Sequence, residues 1–91
     1  MPILRISRRQ TGREVYDAAA ARIDLDRNHP LGLIMHSAAE IDGAMLVAQV
    51  WESEEYLRRY EEEQLKPVLE AVGAPMEAAV STFELHHLVT P

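Results

Sequence analysis

The first predicted strand is marked by an alternation of apolar and polar positions. In the segment PILRIS, Leu4 and Ile6 point to one side of the chain, and Ile3, Arg5 and Ser7 point to the other. A period of two residues is typical of a β-strand. The sequence therefore predicts that the chain opens with a strand whose two sides differ in polarity.

A helix follows, because the apolar period changes from two residues to about four. Thr11 and Glu14 have the spacing of a capping box, which predicts that the helix starts at Thr11. Pro30 and Gly32 lie near the end of the next loop, residues 24–32, and Gly32 marks the entry to the following element. The predicted buried stripe of the helix consists of side chains on one face: Val15, Tyr16, Ala19, Ala20 and Ile23.

The clearest local pattern is a hairpin around Asp42 and Gly43. These two residues lie between runs that are compatible with β-strands, and they are favoured in a two-residue type I′ turn. That turn predicts four cross-strand pairs: Ile41 with Ala44, Ala38 with Val47, His36 with Gln49, and Ile34 with Trp51.

Both faces of the predicted hairpin are largely apolar. Side chains alternate between the two faces along a strand. One face carries six of them: Ile34, His36, Ala38, Val47, Gln49 and Trp51. The other face carries six more: Met35, Ser37, Ala39, Leu46, Ala48 and Val50. Two apolar faces both require cover, so we expect helices on the first face and a second copy of the chain on the other.

A second helix and a last strand complete the chain. Ser53 can cap the helix, Pro67 predicts a kink or restart near Lys66, and Gly73 predicts its end. A bend is predicted over residues 74–78. The final segment, AVSTFELHHLVTP, has the alternation of a strand, with two opposed sets of side chains: Val80, Thr82, Glu84 and His86 against Ser81, Phe83, Leu85 and His87.

The element order is therefore β-α-β-β-α-β within a single domain of residues 1–91. This order is the ferredoxin-like split β-α-β pattern. We predict the α+β class, with a four-stranded antiparallel sheet and both helices on one face of it.

Composition restricts the partners and the location of the protein. The net charge is −6, and an acidic chain without a basic stripe binds nucleic acid poorly. Residues 1–27 carry six arginines against four acidic residues; solvated arginines around a strand end are the simplest interpretation, and a small anionic ligand is the alternative. No apolar run approaches the roughly 18 residues of a membrane span, no signal peptide is recognisable, and cysteine is missing. We expect a soluble cytoplasmic protein without a membrane partner.

The segment PLGLIMHSAAEIDGAMLVAQVWESEEYLRRYEEEQLKPVLEAVG resembles the dimeric α+β barrel proteins, and in particular the antibiotic biosynthesis monooxygenase (ABM)-like families. The likeness rests on Gly32, the Asp-Gly hairpin, the Val-Trp-Glu-Ser corner and the helix ending PVLEAVG. It implies a homodimer formed by packing sheets face to face, with a small aromatic or polyketide-like ligand between sheet and helices. For the quinone-forming monooxygenases of the superfamily it also implies catalysis without a cofactor.

The haem-degrading branch of the same superfamily differs from this chain at its haem-binding positions. That branch has an Asn on the first strand, a Trp within the second helix and a His further along that helix. Here ILRIS contains no Asn, Tyr60 stands near the Trp position, and no His occurs between Trp51 and Gly73. We therefore predict that the chain binds no haem.

The predicted hairpin face brings together side chains with useful chemistry. His36 is a candidate general base because its reference pKa lies near neutral, and Gln49 or Tyr60 is a candidate to hold a developing oxyanion. Trp51 is a candidate to stack on an aromatic ring. Four further residues complete the predicted ligand contacts: Ile34, Val47, Tyr56 and His86. No spacing of ligands indicates a metal site.

Structural interpretations stand beside these chemical ones. Trp51 at a strand end is typical of a plug that seats a helix, His36 on an apolar face is typical of a satisfied core residue, and Tyr16 suits a core position with its hydroxyl at the rim. Three functions remain open: a cofactor-independent monooxygenase, an isomerase or cyclase, and a ligand-binding domain without catalysis. A fourth alternative is a structural dimer without a ligand, whose pocket is filled by its own side chains.

Overall fold

A computed structural model of the chain describes residues 1–75 and 79–91. The described strands are β1 (Ile3–Arg9), β2 (Leu33–Ile41), β3 (Ala44–Trp51) and β4 (Ala79–Glu84). The helical elements are α1 (Arg13–Ile23), α2 (Glu54–Tyr60), a π-helical segment (Glu61–Leu65) and α3 (Lys66–Ala71). Because α2, the π segment and α3 follow one another without a break, they count as one long helix. The predicted β-α-β-β-α-β order is confirmed.

The strand order in the sheet is β2-β3-β1-β4, and every neighbouring pair is antiparallel. Strands β1 and β2 therefore run parallel to each other with β3 between them, which is the split β-α-β arrangement. The two middle strands, β3 and β1, have a hydrogen-bonded neighbour on each side. Residues on these two strands are consequently the most enclosed in the sheet.

The hairpin has the predicted turn and most of the predicted register. Asp42 and Gly43 both have positive φ angles, 48° and 77°, as a type I′ turn requires. Three of the predicted cross-strand pairs are confirmed: Ile41 with Ala44, Ala38 with Val47, and His36 with Gln49.

The fourth predicted pair is wrong, because the register shifts between Leu33 and Met35. Leu33, not Ile34, lies opposite Trp51. A bulge gives one strand an extra residue that has no partner, and Ile34 occupies that position. The hydrophobic alternation does not reveal it, since Leu33, Ile34 and Met35 are all apolar.

The two main helices begin differently. The N-cap of α1 is Gly12 and no side chain caps it, so the predicted start at Thr11 is wrong. The Oγ1 atom of Thr11 is buried and has no hydrogen-bond partner among the described residues. In α2 the predicted cap is confirmed, because the Ser53 hydroxyl accepts a hydrogen bond of 3.4 Å from the backbone N–H of Tyr56.

The long helix restarts near Lys66, as predicted, with Pro67 in the first turn of α3. The restart is preceded by the π segment, in which the Lys66 N–H bonds to the Glu61 carbonyl five residues earlier. Pro67 lacks an N–H and its ring would clash with the carbonyl of Glu63 in a regular α-helix. A wider turn ahead of the proline removes that clash.

The last strand is shorter than the alternation predicts. Strand β4 ends at Glu84, so His86 and His87 lie beyond it and are exposed. The chain after the strand stays close to β1, since the Leu85 N–H donates to the Pro2 carbonyl at 2.9 Å. Of the bend predicted over residues 74–78, positions 76–78 lie outside the described residues.

The helices cover one face of the sheet, called here the helix side. Its core is formed by one cluster of buried side chains: Trp51, Leu57, Tyr60, Leu65 and Leu69. The opposite surface, called here the rear face, leaves Met35 39% and Phe83 53% exposed. No described helix combines the length and the apolar character that crossing a membrane requires.

Candidate functional site

A small cavity lies on the helix side, between the sheet and the helices. Its volume is about 40 Å³, measured as the space open to the centre of a water molecule, which suffices for a few waters. One part of its lining is apolar and comes mainly from the helices: Val15, Ala19, Ala20, Ile23, Leu25, Val47, Leu65 and Leu69. The other part is polar: Arg5, Ser7, Arg9, Thr11, Tyr16, His36, Gln49 and Tyr60.

A row of hydrogen bonds connects the core to this cavity. The indole N–H of Trp51 donates to Oε1 of Gln49 at 3.1 Å. Nε2 of Gln49 lies 3.0 Å from Nδ1 of His36, and Nε2 of His36 lies 2.6 Å from the hydroxyl of Tyr16. The rings of Tyr16 and His36 are nearly parallel, with an angle of 16° and a centroid distance of 6.1 Å. We call these four side chains the Trp51–Tyr16 chain.

The direction of each hydrogen bond in the chain follows from its first member. An indole N–H can only donate, and an amide NH₂ can only donate. Since Trp51 donates to the Gln49 oxygen, the Gln49 nitrogen donates to Nδ1 of His36, which must be unprotonated. The neutral ring then carries its proton on Nε2 and donates it to the Tyr16 oxygen. The hydroxyl proton of Tyr16 is left to point elsewhere, and Tyr16 lines the cavity.

Burial keeps the members of the chain in their neutral forms. Desolvation lowers the pKa of His36; Asp26 opposes this effect and Arg5 adds to it. Desolvation likewise raises the pKa of Tyr16, with smaller contributions from Tyr60 and nearby acids. At neutral pH the Tyr16 hydroxyl is therefore a hydrogen-bond donor and not a base.

Tyr60 lies beside the chain and is almost fully buried. Burial raises the pKa of its hydroxyl, and a hydrogen bond with Gln49 partly offsets that rise. Its ring lies 4.9 Å from that of Trp51, tilted by 38°. Tyr60 therefore packs against Trp51 and also lines the cavity.

Arg5 is the main correction that the structure makes to the predicted site. The interpretation of the early arginines as solvated is wrong for this residue, which is only 2% exposed. Its Nε lies 3.3 Å from Oε2 of Glu61, and an Nη donates to Ser7 Oγ at 3.3 Å. Arg5 lies on the central strand β1, opposite Gln49, so its side chain projects under the helices. Burial and the neighbouring Arg5 also lower the pKa of Arg9.

Four of the predicted site residues line the cavity: His36, Val47, Gln49 and Tyr60. Trp51 does not line the cavity; it is completely buried in the core cluster and contacts the lining residues Gln49 and Tyr60. Tyr56 packs its ring against the backbone of Gly32, where a Cβ atom would collide with it. Ile34 is on the bulge and His86 beyond β4, and both are exposed. For these four, a ligand contact stays a prediction that the cavity does not support.

Five polar residues of the cavity lining were not among the predicted site residues: Arg5, Ser7, Arg9, Thr11 and Tyr16. The alternation in β1 places Arg5 and Ser7 on the same side as Ile3. This was a usable signal, because polar side chains that face a core need hydrogen-bond partners there. Tyr16 was predicted in the buried stripe of α1, but nothing local connects it to His36. Within residues 1–75 and 79–91, no three metal-binding side chains converge.

Solved structures with the same fold come from several bacteria. A candidate antibiotic biosynthesis monooxygenase from Chloroflexus aurantiacus J-10-fl has a TM-score of 0.71 at 11% identity, covering 99% of this chain and 98% of that one. SnoaB, a cofactor-independent oxygenase from Streptomyces nogalater, has a TM-score of 0.71 at 13% identity, with the same coverage of both chains. The haem-degrading protein Rv3592 from Mycobacterium tuberculosis has a TM-score of 0.64 at 20% identity, covering 99% and 100%.

Sequence comparisons add no nearer relative. No protein-family model matches the chain, and no curated protein is significantly similar to it. At identities of 11–20% the structural likeness shows the fold alone. The chain therefore has the ferredoxin-like α+β fold of the antibiotic biosynthesis monooxygenase structures.

Proposed function

We propose that the protein is a cofactor-independent oxygenase of small aromatic or polyketide-type molecules that ionise readily, such as phenols, enols and anthrone-like ketones. One observation carries the proposal: the Trp51–Tyr16 chain leaves a hydroxyl proton for a cavity that two arginines also line. Such donors stabilise an oxyanion. The described lining contains no carboxylate, although Glu61 lies 3.3 Å from Arg5 behind it.

The reaction needs only a substrate anion and oxygen. Loss of a proton gives an enolate, which passes one electron to O₂, and the two radicals combine to a peroxide. The peroxide then loses water, so that one CH₂ group and one O₂ become one C=O group and one H₂O. The protein supplies hydrogen bonds that lower the pKa of the bound substrate and hold the oxygen on which negative charge develops.

The general-base role first expected for His36 does not fit this geometry. Both ring nitrogens of His36 are engaged by protein side chains, Nδ1 by Gln49 and Nε2 by Tyr16. A lone pair that already accepts a hydrogen bond is not free to take a substrate proton. We assign His36 the orientation of Tyr16, and we expect the substrate to lose its proton to water.

The cavity must widen before an aromatic molecule can bind. Its 40 Å³ is well below the roughly 150 Å³ of a cavity that holds benzene. Helix α1 is the most easily displaced wall, because Ala19 is its only fully buried residue in this structure and few apolar contacts resist local opening. We expect α1 to move outward when the substrate enters.

The homodimer is part of the same proposal. The rear face leaves Met35 and Phe83 exposed, and Leu4 lies directly opposite Phe83 in the sheet. An apolar sheet face of this kind is stabilised by packing on another sheet. A second copy supplies a matching face, which agrees with the expectation drawn from the two apolar sides of the hairpin.

Oxygen uptake tests the proposed activity. We expect the parent protein to accelerate oxygen uptake by an anthrone and to form the corresponding quinone. Tyr16→Phe should reduce the rate by roughly 10²-fold, the typical effect of removing one oxyanion donor. Tyr56→Phe is the matched control, since it removes a tyrosine hydroxyl outside the cavity and should leave the rate unchanged.

Two results would contradict the proposal. One is an equal rate in the parent and in Tyr16→Phe, which would exclude Tyr16 as the donor. The other is no acceleration by the parent with any of an anthrone, a naphthoquinol and an acidic phenol. Measuring the oxygen consumed against the quinone formed, with an expected ratio of one to one for the anthrone, separates oxygenation from simple substrate oxidation.

Binding without catalysis is the second candidate, because the polar groups that line the cavity would hold an anionic ligand whether or not it reacts with oxygen. An isomerase or cyclase is less well supported, because such an enzyme needs a group that takes a proton and returns it. Among the described lining residues, the imidazole of His36 is engaged on both sides. Ligand titration followed by Trp51 fluorescence detects binding even where no oxygen is consumed.

A further inference from the structure

We infer that Trp51 is a positioning residue: its indole N–H sets the amide orientation of Gln49, and through it the proton position on His36. This inference follows from the hydrogen bonds and does not depend on the proposed function. Its consequence for catalysis, through Tyr16, rests on the proposed oxygenase function. Trp51 therefore has a role besides filling the core, although it does not line the cavity.

Judged by steric fit alone, the amide of Gln49 could adopt either of two orientations, because its oxygen and its NH₂ group are nearly equal in size. Only one of them is compatible with Trp51. If the amide were reversed, its NH₂ group would face the indole N–H, and neither donor would have an acceptor there. Trp51 is fully buried and Gln49 is 1% exposed, so water is poorly placed to replace the lost acceptor. A buried donor without a partner is strongly disfavoured.

The packing around Trp51 keeps the indole N–H in place. The ring belongs to the buried cluster with Leu57, Leu65 and Leu69, and it lies against the ring of Tyr60. Tyr60 also lines the cavity together with Gln49. Close-packed side chains have few alternative rotamers, so the direction of the indole N–H is set by the core.

Loss of the indole N–H would allow the opposite arrangement. A reversed Gln49 would present its oxygen to His36, and the ring would then carry its proton on Nδ1. Nε2 would become an acceptor and would take the hydrogen bond of the Tyr16 hydroxyl. The Tyr16 proton would then point at His36 instead of the cavity. Trp51 thus decides whether Tyr16 offers its proton to a ligand.

Nitrogen-15 NMR of the histidine rings tests the inference without any substrate. The two neutral tautomers have distinct ¹⁵N shifts and coupling patterns, and His36→Asn identifies the His36 signals. We expect the parent to show the Nε2–H tautomer above the pKa of His36. In Trp51→Phe, which keeps an aromatic ring but lacks the N–H, we expect at least a third of His36 in the Nδ1–H form. Exposed His29 is the internal control and should not change.

A second variant keeps the test decisive if Trp51→Phe folds poorly. Gln49→Glu retains Trp51 and places a carboxylate, which can only accept, against Nδ1. We expect His36 then to carry a proton on Nδ1 and to titrate at a higher pH than in the parent. An Nδ1–H tautomer in the parent, or an unchanged Nε2–H tautomer in folded Trp51→Phe, would overturn the inference.

Activity measurements separate this inference from the proposed function. If the protein is an oxygenase, Trp51→Phe should lower the rate of oxygen uptake several-fold. The double variant Trp51→Phe/Tyr16→Phe should be little slower than Tyr16→Phe, because both substitutions act through the Tyr16 hydroxyl. A tautomer change without oxygen uptake in any variant would retain the inference and reject the oxygenase. Unchanged tautomers with an active, Tyr16-dependent enzyme would do the reverse.

Discussion

The two faces of the sheet contrast in the side chains that they bury and expose. The helix side buries Arg5, Ser7 and Gln49, whereas the rear face exposes Met35 and Phe83. Polar groups are usually found outside and large apolar groups inside. Here each of the three buried polar residues has a hydrogen-bond partner, while Met35 and Phe83 stay partly exposed to solvent in the described part of the chain.

This contrast bears on the role proposed for each face. Burying satisfied polar groups contributes little net stability, so their presence on the helix side is best explained by what they do there. Exposed apolar area, in turn, contributes no stability until something covers it. On the proposed function, the helix side would be the chemical face and the rear face the assembly face. Each of the following predictions tests one side of that division.

The largest effect should come from removing the central side chain of the helix side. Trp51 is completely buried, and truncating a large buried aromatic residue costs about 3–5 kcal/mol. We expect Trp51→Ala to lower the free energy of unfolding by that amount in urea titrations followed by circular dichroism. Val80→Ala, on the exposed edge strand β4, should cost less than about 1 kcal/mol. Equal costs would show that the burial of Trp51 does not hold the fold together.

The next effect concerns the rear face and should appear in assembly. A carboxylate buried without a partner in an apolar interface costs several kcal/mol, so Phe83→Glu should raise the Kd of the dimer at least ~100-fold. Sedimentation equilibrium measures this. Val80→Glu is the matched control, because Val80 is an exposed apolar residue of the same strand that lies opposite Ser7 and so faces the helix side. A monomeric parent, or a dimer unaffected by Phe83→Glu, would remove the assembly role.

A smaller effect concerns pH and the helix side. Burial lowers the pKa of His36 in the folded protein, so folding favours the neutral ring. The stability that this contributes is fully present above the unfolded pKa of about 6.5 and is lost as the pH falls below it toward the folded value. The free energy of unfolding should therefore fall more between pH 7.5 and 5 in the parent than in His36→Gln. His29→Gln is the control, and parallel curves for parent and His36→Gln would be evidence against a buried neutral imidazole.

The smallest effect concerns Thr11, which lines the cavity. The hydroxyl of Thr11 is buried without a partner among the described residues, and replacing such a group by an apolar one of the same shape is neutral or stabilising. Thr11→Val should leave the free energy of unfolding unchanged or raise it by up to about 1 kcal/mol. Ser53→Ala, which removes a hydroxyl that does cap a helix, should lower it by about 1 kcal/mol. Similar losses in both variants would mean that Thr11 has a partner after all.

Part of the candidate site was predictable because it depends on a short hairpin. The turn at Asp42 and Gly43 sets which residues face each other, so the neighbours His36 and Gln49 follow from the sequence. The same reasoning fails further from the turn, where the bulge displaces Ile34. A bulge can form at any residue pair, so the predicted register becomes less certain with distance from the turn. The apolar run of Leu33, Ile34 and Met35 does not show where the bulge lies.

The rest of the site required the tertiary structure. Tyr16 meets His36 across 20 positions of sequence, and that contact depends on how α1 is placed over the sheet. Arg5 is buried because β1 lies between β3 and β4, an order that follows from the packing of the whole chain. The cavity volume likewise results from side chains of several elements meeting at once.

By itself, the sequence determined the order of the elements, the hairpin turn, the start of α2 at Ser53 and the helix restart near Pro67. These features depend on backbone preferences and hydrogen bonds within a few residues of each other, which a sequence displays directly. Only the tertiary structure decided that Arg5 is enclosed, that Gln49 joins Trp51 to His36 by hydrogen bonds, and that Tyr16 contacts His36. Those contacts join residues from separate elements, and their geometry is fixed by packing in three dimensions.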